Sequence, residues 1–252
     1  MCNECGCGEN VAHTEFAHDA RLSRERVVQI QEDILAHNSR VALGNRRRWD
    51  ANSTLCINLV SSPGAGKTTL LESTVTALQQ RCPVAVIEGD QQTSRDAERI
   101  GACGVPCAQI NTGAGCHLDA SMVEKVLGQY DLPLSSGILF IENVGNLICP
   151  SEFDLGEHQR VVLMSCTEGE DKPLKYPHIF ATSTLLILTK IDLLPFLRFD
   201  VDACLRHVAE INPCMDVLRL SAYSGVGLAN WIDWLQTTRL AFVQRQSVRG
   251  SP

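Results

Sequence analysis

In Ser61-Ser62-Pro63-Gly64-Ala65-Gly66-Lys67-Thr68-Thr69, small residues, a lysine and hydroxyls are spaced as a phosphate-binding loop requires. Gly64 and Gly66 let backbone N–H groups around Ala65 approach phosphate oxygens. Lys67 is placed for the β- and γ-phosphates, and the Thr68 hydroxyl for Mg2+. The helix expected from Thr69 onward adds favourable dipole charge at its N-terminus. Ser61 stands where the pattern has its first glycine. Serine is small enough to leave the loop intact.

Such loops serve both ATP and GTP, so the base pocket must decide. Thr189-Lys190-Ile191-Asp192 follows an apolar run and resembles the Asn-Lys-x-Asp guanine motif of GTPases. A carboxylate at Asp192 accepts from guanine N1–H and the 2-amino group, a donor pair adenine lacks. Thr189 replaces the usual Asn, so one supporting hydrogen bond, worth about 1 kcal/mol, is expected to be weaker or lost. Ser221-Ala222 follows the last apolar run and resembles the loop that receives guanine O6. Two acidic segments complete the phosphate side. Glu88-Gly89-Asp90 and Glu142-Asn143-Val144-Gly145 end apolar runs, where Asp90 and Glu142 can join Thr68 in holding Mg2+ or its waters and orient a nucleophilic water. Gly145 closes a carboxylate-x-x-Gly γ-phosphate sensor. Asn146 stands where some GTPases carry a water-positioning Gln and is shorter, so slow intrinsic hydrolysis is expected.

The thiols make a second group. Twelve cysteines are many for a chain expected in the reducing cytoplasm, where disulfides are rare. Cys2, Cys5 and Cys7 fall within six residues beside Gly6 and Gly8, in a segment with no core to bury them. Soft thiolates so placed suit Zn2+, Cu(I) or Ni2+. Cys116-His117 and Cys149 are expected to leave the same sheet edge, which would give a partial metal site of two sulfurs and an imidazole. Cys56, Cys82, Cys103, Cys107, Cys166, Cys204 and Cys214 sit in or beside apolar segments and are expected to pack.

The elements that must position these groups follow from periodicity. Apolar runs at 55–60, 84–87, 105–110, 138–141, 161–164, 185–188 and 217–220 read as strands. The stretches 69–80, 94–101, 119–129, 201–211 and 228–242 read as helices. Continuous apolar strands alternating with helices predict an α/β fold, a P-loop domain with a mostly parallel sheet flanked by helices. A flexible Cys-rich arm (1–14) and an N-terminal helix with connector (15–50) precede the domain (51–245), and a frayed tail (246–252) follows it. Val27, Ile30, Ile34 and Val41 give the N-terminal helix its periodicity. Gly44 is expected to stop it, leaving Arg46-Arg47-Arg48 as a solvated connector. With 44% hydrophobic and 20% charged residues over 252 positions, and a formal charge of -7, an ordinary core is expected and nonspecific nucleic-acid binding is not. No apolar run reaches the roughly 18 residues of a membrane span, and the N-terminus lacks the pattern of a signal peptide. A cytoplasmic protein that binds neither nucleic acid nor membrane is therefore expected.

Taken together, the Cys-x-x-Cys-Gly-Cys arm, the P-loop, Glu88-Gly89-Asp90-Gln91-Gln92, Gly115-Cys116-His117, Glu142-Asn143-Val144-Gly145-Asn146-Leu147 and Glu168-Gly169-Glu170-Asp171-Lys172-Pro173-Leu174-Lys175 resemble the HypB family. These are the nickel-inserting GTPases of [NiFe]-hydrogenase maturation. The resemblance implies GTP hydrolysis with Lys67, Asp90 and Glu142 at the reacting phosphate, GTP and Mg2+ as cofactors, and dimerisation. It also implies a nickel site at Cys2, Cys5 and Cys7, a Zn2+ or Ni2+ site at Cys116, His117 and Cys149, and work with a partner nickel metallochaperone and the hydrogenase large-subunit precursor. A related metallochaperone for urease or a cobalamin enzyme, and a metal-storage module with a regulatory nucleotide site, are the alternatives. The triple-Cys arm argues against the urease type. Leu193 and Leu197, four apart, are either a homodimer contact or core residues. Lys172 and Lys175 are expected on a mobile loop.

Overall fold

A computed structural model describes residues 24–91, 93–113, 115–130, 132 and 135–249. Cys2, Cys5 and Cys7, the rest of the expected arm, the first part of the expected N-terminal helix and the last residues of the tail lie outside the described residues.

Seven strands, β1 (Leu55–Ser61), β2 (Val84–Asp90), β3 (Cys107–Asn111), β4 (Ile138–Glu142), β5 (Gln159–Ser165), β6 (Leu185–Thr189) and β7 (Asp216–Arg219), form one sheet in the order β3-β2-β4-β1-β5-β6-β7. Every neighbouring pair is parallel, and these strands lie at the expected runs within three residues. The apolar continuity of β1 has a direct cause. Leu55, Ile57 and Leu59 face a core closed by the helices Lys67–Leu78 and Leu228–Arg249, through Leu70, Leu71, Val75, Trp231 and Leu235. Cys56 and Val60 face the opposite layer, where Trp49 and the helix Ala120–Gln129 cover one half and the helices Pro177–Ala181 and Val201–Ile211 the other. With both faces covered, no position of β1 needs a polar residue for solvent. Asn58, fully buried in β1, instead donates to Glu157 Oε1.

The chain divides into the units Met1–His37 and Asn38–Pro252. The described part of the first is helical, with Val27, Ile30 and Ile34 exposed. The same helix, Arg24–Ala51, runs through Gly44, so the expected stop is wrong. A helical glycine costs about 1 kcal/mol, and the next turns make contacts that offset it. Ala42 and Trp49 are buried, Arg46 pairs with Asp154 at 2.8 Å and Arg48 donates to Leu127 O at 3.1 Å. The arginine run is thus helix, and two of its members are bonded to the domain rather than merely solvated. The expected packing of seven cysteines also needs one correction. Cys56, Cys166 and Cys204 are buried and Cys82, Cys103 and Cys107 partly so, but Cys214 is exposed.

Candidate functional site

The phosphate loop leaves β1 at the centre of the sheet. Gly64 and Gly66 adopt φ of 74° and 98°, left-handed values that only glycine takes without strain. Lys67 opens the next helix and donates to Ser61 Oγ at 2.9 Å. The serine at the first-glycine position therefore holds the lysine head. Burial pulls the Lys67 pKa down, while Glu142 and more distant carboxylates oppose it. Thr68 Oγ1 donates to Glu142 Oε1 at 2.8 Å. Above them opens a cavity of about 480 Å³ whose lining includes Thr69, Glu88, Asp90 and Gly145. A Cβ on Gly145 would stand 3.0 Å from Pro63 Cα, so the sensor segment lies directly on the phosphate loop.

The acidic residues differ in their engagement. Asp90 accepts from Gln91 N, Thr93 N and Thr93 Oγ1 at 2.7, 3.0 and 2.7 Å, holding the turn after β2. Glu88 and Glu142 face each other in register across β2 and β4, and each keeps a buried carboxylate oxygen without a hydrogen-bond partner. Burial, and then Glu142, push the Glu88 pKa up to about 8. Burial raises that of Glu142 to about 7 against the pull of Lys67 and Thr68. Two adjacent buried carboxylates with unmet oxygens, beside a threonine hydroxyl, form the hard-oxygen donor set that Mg2+ requires. The residues present therefore fit that ion. Glu88 was missed by sequence reasoning, which chose Asp90 from the same triplet. The two-residue spacing on one strand face was the available signal.

The base side is a separate cavity of about 340 Å³ lined by Thr189, Lys190, Asp192, Leu193, Ser221, Ala222 and residues of the phosphate-loop helix. Asp192 Oδ1 is buried without a partner, as a carboxylate that accepts from a purine donor pair would be before the base arrives. Thr189 Oγ1 donates to Ala65 O at 2.7 Å and Lys190 Nζ to Gly64 O at 2.8 Å. Thr189 and Lys190 therefore tie the base-side loop to the phosphate loop. Leu193 lies in the short 3-10 helix Ile191–Phe196 and packs against the core, whereas Leu197 follows it in extended backbone and is exposed. The two do not share a face of a regular helix, which corrects the basis on which they were paired. Lys172 and Lys175 form a helical turn rather than a loop, in ion pairs with Glu168 and Asp171.

The expected internal metal ligands do meet. Cys116 Sγ and Cys149 Sγ are 2.9 Å apart, and Cys116 Sγ is 3.7 Å from His117 Nδ1. All three ligand atoms lie within 4.8 Å of one another. The His117 ring packs on Phe153 with centroids 4.1 Å apart. Burial raises the Cys149 pKa, reinforced by Cys116. Burial also lowers the His117 pKa against Asp119 and Glu152, which favours the neutral imidazole that binds metal. The segment from Glu142 to Cys149 joins this cluster to the phosphate cavity. Asn143 Oδ1 accepts from Leu118 N at 3.2 Å and Asn146 Nδ2 donates to Cys116 O at 3.4 Å.

A family model described as CobW/HypB/UreG, nucleotide-binding domain, matches residues 55–219. Over 223 residues the chain is 55% identical to hydrogenase maturation factor HypB of Azotobacter vinelandii, covering 88% of this chain and 73% of that protein.

The chain belongs to the HypB family.

The HypB relative from Escherichia coli is 53% identical over 225 residues, covering 89% of this chain and 77% of that one. Among solved structures, HypB from Helicobacter pylori in complex with nickel superposes with a TM-score of 0.77 at 35% identity, over 81% of this chain and 96% of that one. HypB from Archaeoglobus fulgidus gives 0.75 at 36%, over 81% and 99%. Within this chain the family match spans the phosphate loop, both acidic strand ends, Cys116, His117, Cys149 and Asp192. The bridging residues Asn143 and Asn146 stand inside the carboxylate motif, yet their contacts were not legible in it. A polar side chain at a strand end carries no sign of its partner.

Proposed function

We propose that this HypB-family chain hydrolyses GTP and couples that cycle to nickel delivery for [NiFe]-hydrogenase maturation. The observation that carries this reading is the segment 142–149. Its first residue is bonded to Thr68 in the phosphate site, and its last lies against Cys116 in the metal cluster. One short chain segment therefore touches both ligands' sites, which is the physical requirement for coupling them.

In this reading the residues Gly64 to Thr69 cradle the phosphates. Thr68 and Glu142, with Glu88 beside them, hold Mg2+, which would neutralise phosphate charge when bound. Lys67 supplies the fixed positive charge, Gly145 reads the γ-phosphate, and Asp90 at the cavity rim is assigned the attacking water. Thr189, Lys190, Asp192, Ser221 and Ala222 select guanine. Cys116, His117 and Cys149 take Ni2+ or Zn2+, a choice supported by their two sulfurs and neutral imidazole. Cys2, Cys5 and Cys7 are proposed as the first nickel site. The Helicobacter pylori HypB structure, which is a complex with nickel, supports metal handling in the family. A partner nickel metallochaperone and the hydrogenase large-subunit precursor are the proposed source and recipient of the metal.

Two experiments test this. GTP turnover should be abolished by Lys67→Ala; unchanged turnover in that variant would remove the enzymatic reading. Hydrogenase activity in a strain lacking the protein should be restored by added nickel; failure of nickel to help would place the protein outside delivery. We also propose a homodimer that uses the exposed edge around Leu197. Phe196→Ala with Leu197→Ala, both exposed, should give a folded, GTP-binding monomer by sedimentation. A double variant that stays dimeric would remove that contact.

A further inference from the structure

Two buried asparagines connect the helix Arg24–Ala51 to both halves of the metal cluster. Asn38 accepts from Ala120 N on its Oδ1 at 2.8 Å and donates from Nδ2 to Asp154 O at 2.8 Å. Asn45 donates from Nδ2 to Ala120 O at 3.0 Å and to Leu155 O at 3.1 Å. Both side chains are nearly inaccessible, at 4% and 3% exposure. Ala120 is three residues after His117 and opens the next helix, and Asp154 is five residues after Cys149. Each amide therefore spans the two segments whose other ends carry the ligands.

The rest of this helix face reinforces the tie. Arg46 forks onto both carboxylate oxygens of Asp154 at 2.8 and 2.9 Å and also donates to Glu157 O. Gly156, at φ 91°, lets the chain run against the helix; a Cβ there would stand 2.6 Å from Ala42 O and 2.8 Å from Asn45 Cβ. Packing alone would be served by apolar residues at these positions, since asparagine is a poor helix former. At Asn38 only a side chain with a donor and an acceptor can bridge a backbone N–H on one segment and a C=O on the other, and at Asn45 the two amide hydrogens serve one C=O on each segment.

We propose that Asn38 and Asn45 are positioning residues that fix the separation of Cys116 and Cys149 and so set the metal affinity of the cluster. This rests on the reading of that cluster as a metal site. Outer groups that orient metal ligands typically change affinity about 10- to 100-fold when removed. The amides act here one step further out, through the backbone.

The test uses the full chain carrying Cys2→Ser, Cys5→Ser and Cys7→Ser, so that only the internal cluster reports. Zn2+ affinity is measured by competition with a chromophoric chelator. Asn38→Ala and Asn45→Ala should each lower it about tenfold, with GDP affinity changed less than about twofold. Without metal, a bifunctional thiol reagent should cross-link Cys116 to Cys149, mapped by mass spectrometry, severalfold more slowly in these variants than in the parent. Where either alanine variant fails to bind GDP, Arg46→Ala at the half-exposed rim replaces it, with an expected loss of about threefold in Zn2+ affinity. Unchanged affinity together with unchanged cross-linking would overturn the inference. Cys149→Ala in the same background separates the two claims. If it leaves Zn2+ affinity intact, the metal reading fails. If it abolishes binding while the asparagine variants behave as the parent, only the positioning role fails.

Discussion

Thr189 donates its hydroxyl to the carbonyl of Ala65 at 2.7 Å, so the guanine-side loop is fastened to the phosphate loop by the residue that departs from the usual Asn. Lys190 makes a second tie from the same loop, to Gly64 O. The base pocket and the phosphate cradle are therefore one rigid frame. Thr189→Val keeps the shape and removes the donor, leaving Ala65 O without its partner. GDP affinity should fall about fivefold or more, the loss of one net hydrogen bond. Thr189→Asn should restore most of it. Calorimetric titration with GDP measures both, and an unaffected Thr189→Val would make the tie irrelevant to binding.

The unmet Asp192 oxygen in the base cavity leads to a specificity prediction. Asp192→Asn should exchange guanine for xanthine, because the amide can donate to the xanthine 2-oxo group where a carboxylate cannot. Competition between GTP and XTP decides it. A variant that binds GTP as tightly as the parent and gains nothing for XTP would show that guanine is read elsewhere.

The segment from Glu142 to Cys149 predicts linkage between metal and nucleotide. A γ-phosphate that draws Gly145 shifts Cys149 relative to Cys116, and metal bonds near about 2.3 Å tolerate little displacement. Zn2+ or Ni2+ affinity at the internal cluster should differ severalfold between the GDP and GTP-analogue states, a coupling of about 1 kcal/mol or more. Cys149→Ala should erase the difference. Equal affinities in both nucleotide states would reduce the cluster to a static structural site.

His158 predicts an acid sensitivity. Its Nδ1 accepts from Cys56 N at 3.0 Å, and its Nε2 lies 3.3 Å from Asp50 Oδ1, beside the Phe242 ring. The neutral tautomer with the proton on Nε2 satisfies both partners. Protonation would set a second N–H against the Cys56 amide. Burial accordingly depresses the His158 pKa, although Asp50 pulls the other way. The unfolded chain then takes up this proton first as pH falls below about 6.5. The stabilising difference is complete above that pH and is lost as pH drops toward the folded-state value, by at most about 1.4 kcal/mol per unit. Thermal melts of the parent from about pH 7.5 to 5, the range in which histidine titrates, should fall more steeply than those of His158→Gln. Parallel profiles would show that another group carries the dependence.

The sequence by itself determined the strands, the phosphate loop, the loop from Thr189 to Asp192 beside it and the candidate grouping of Cys116, His117 and Cys149. These are local signals: apolar runs, glycine spacing and short motifs report on the few residues around them. The path of the N-terminal helix was not legible. Gly44 is a helix breaker by propensity, and only the contacts of Trp49, Arg46 and Arg48 with distant segments carry the helix past it. That Glu88 joins Glu142 in the cavity was likewise tertiary. Glu88 and Asp90 lie on one strand face, but Asp90 closes its own turn while the register of β2 with β4 sets Glu88 against Glu142 in the cavity. That Leu193 packs inward while Leu197 faces out depends on a 3-10 turn that an i, i+4 spacing cannot disclose. The asparagine bridges depend on tertiary structure most completely. An amide in a helix announces a donor and an acceptor, but its partners at Ala120, Asp154 and Leu155 become neighbours only when the helix docks on the sheet.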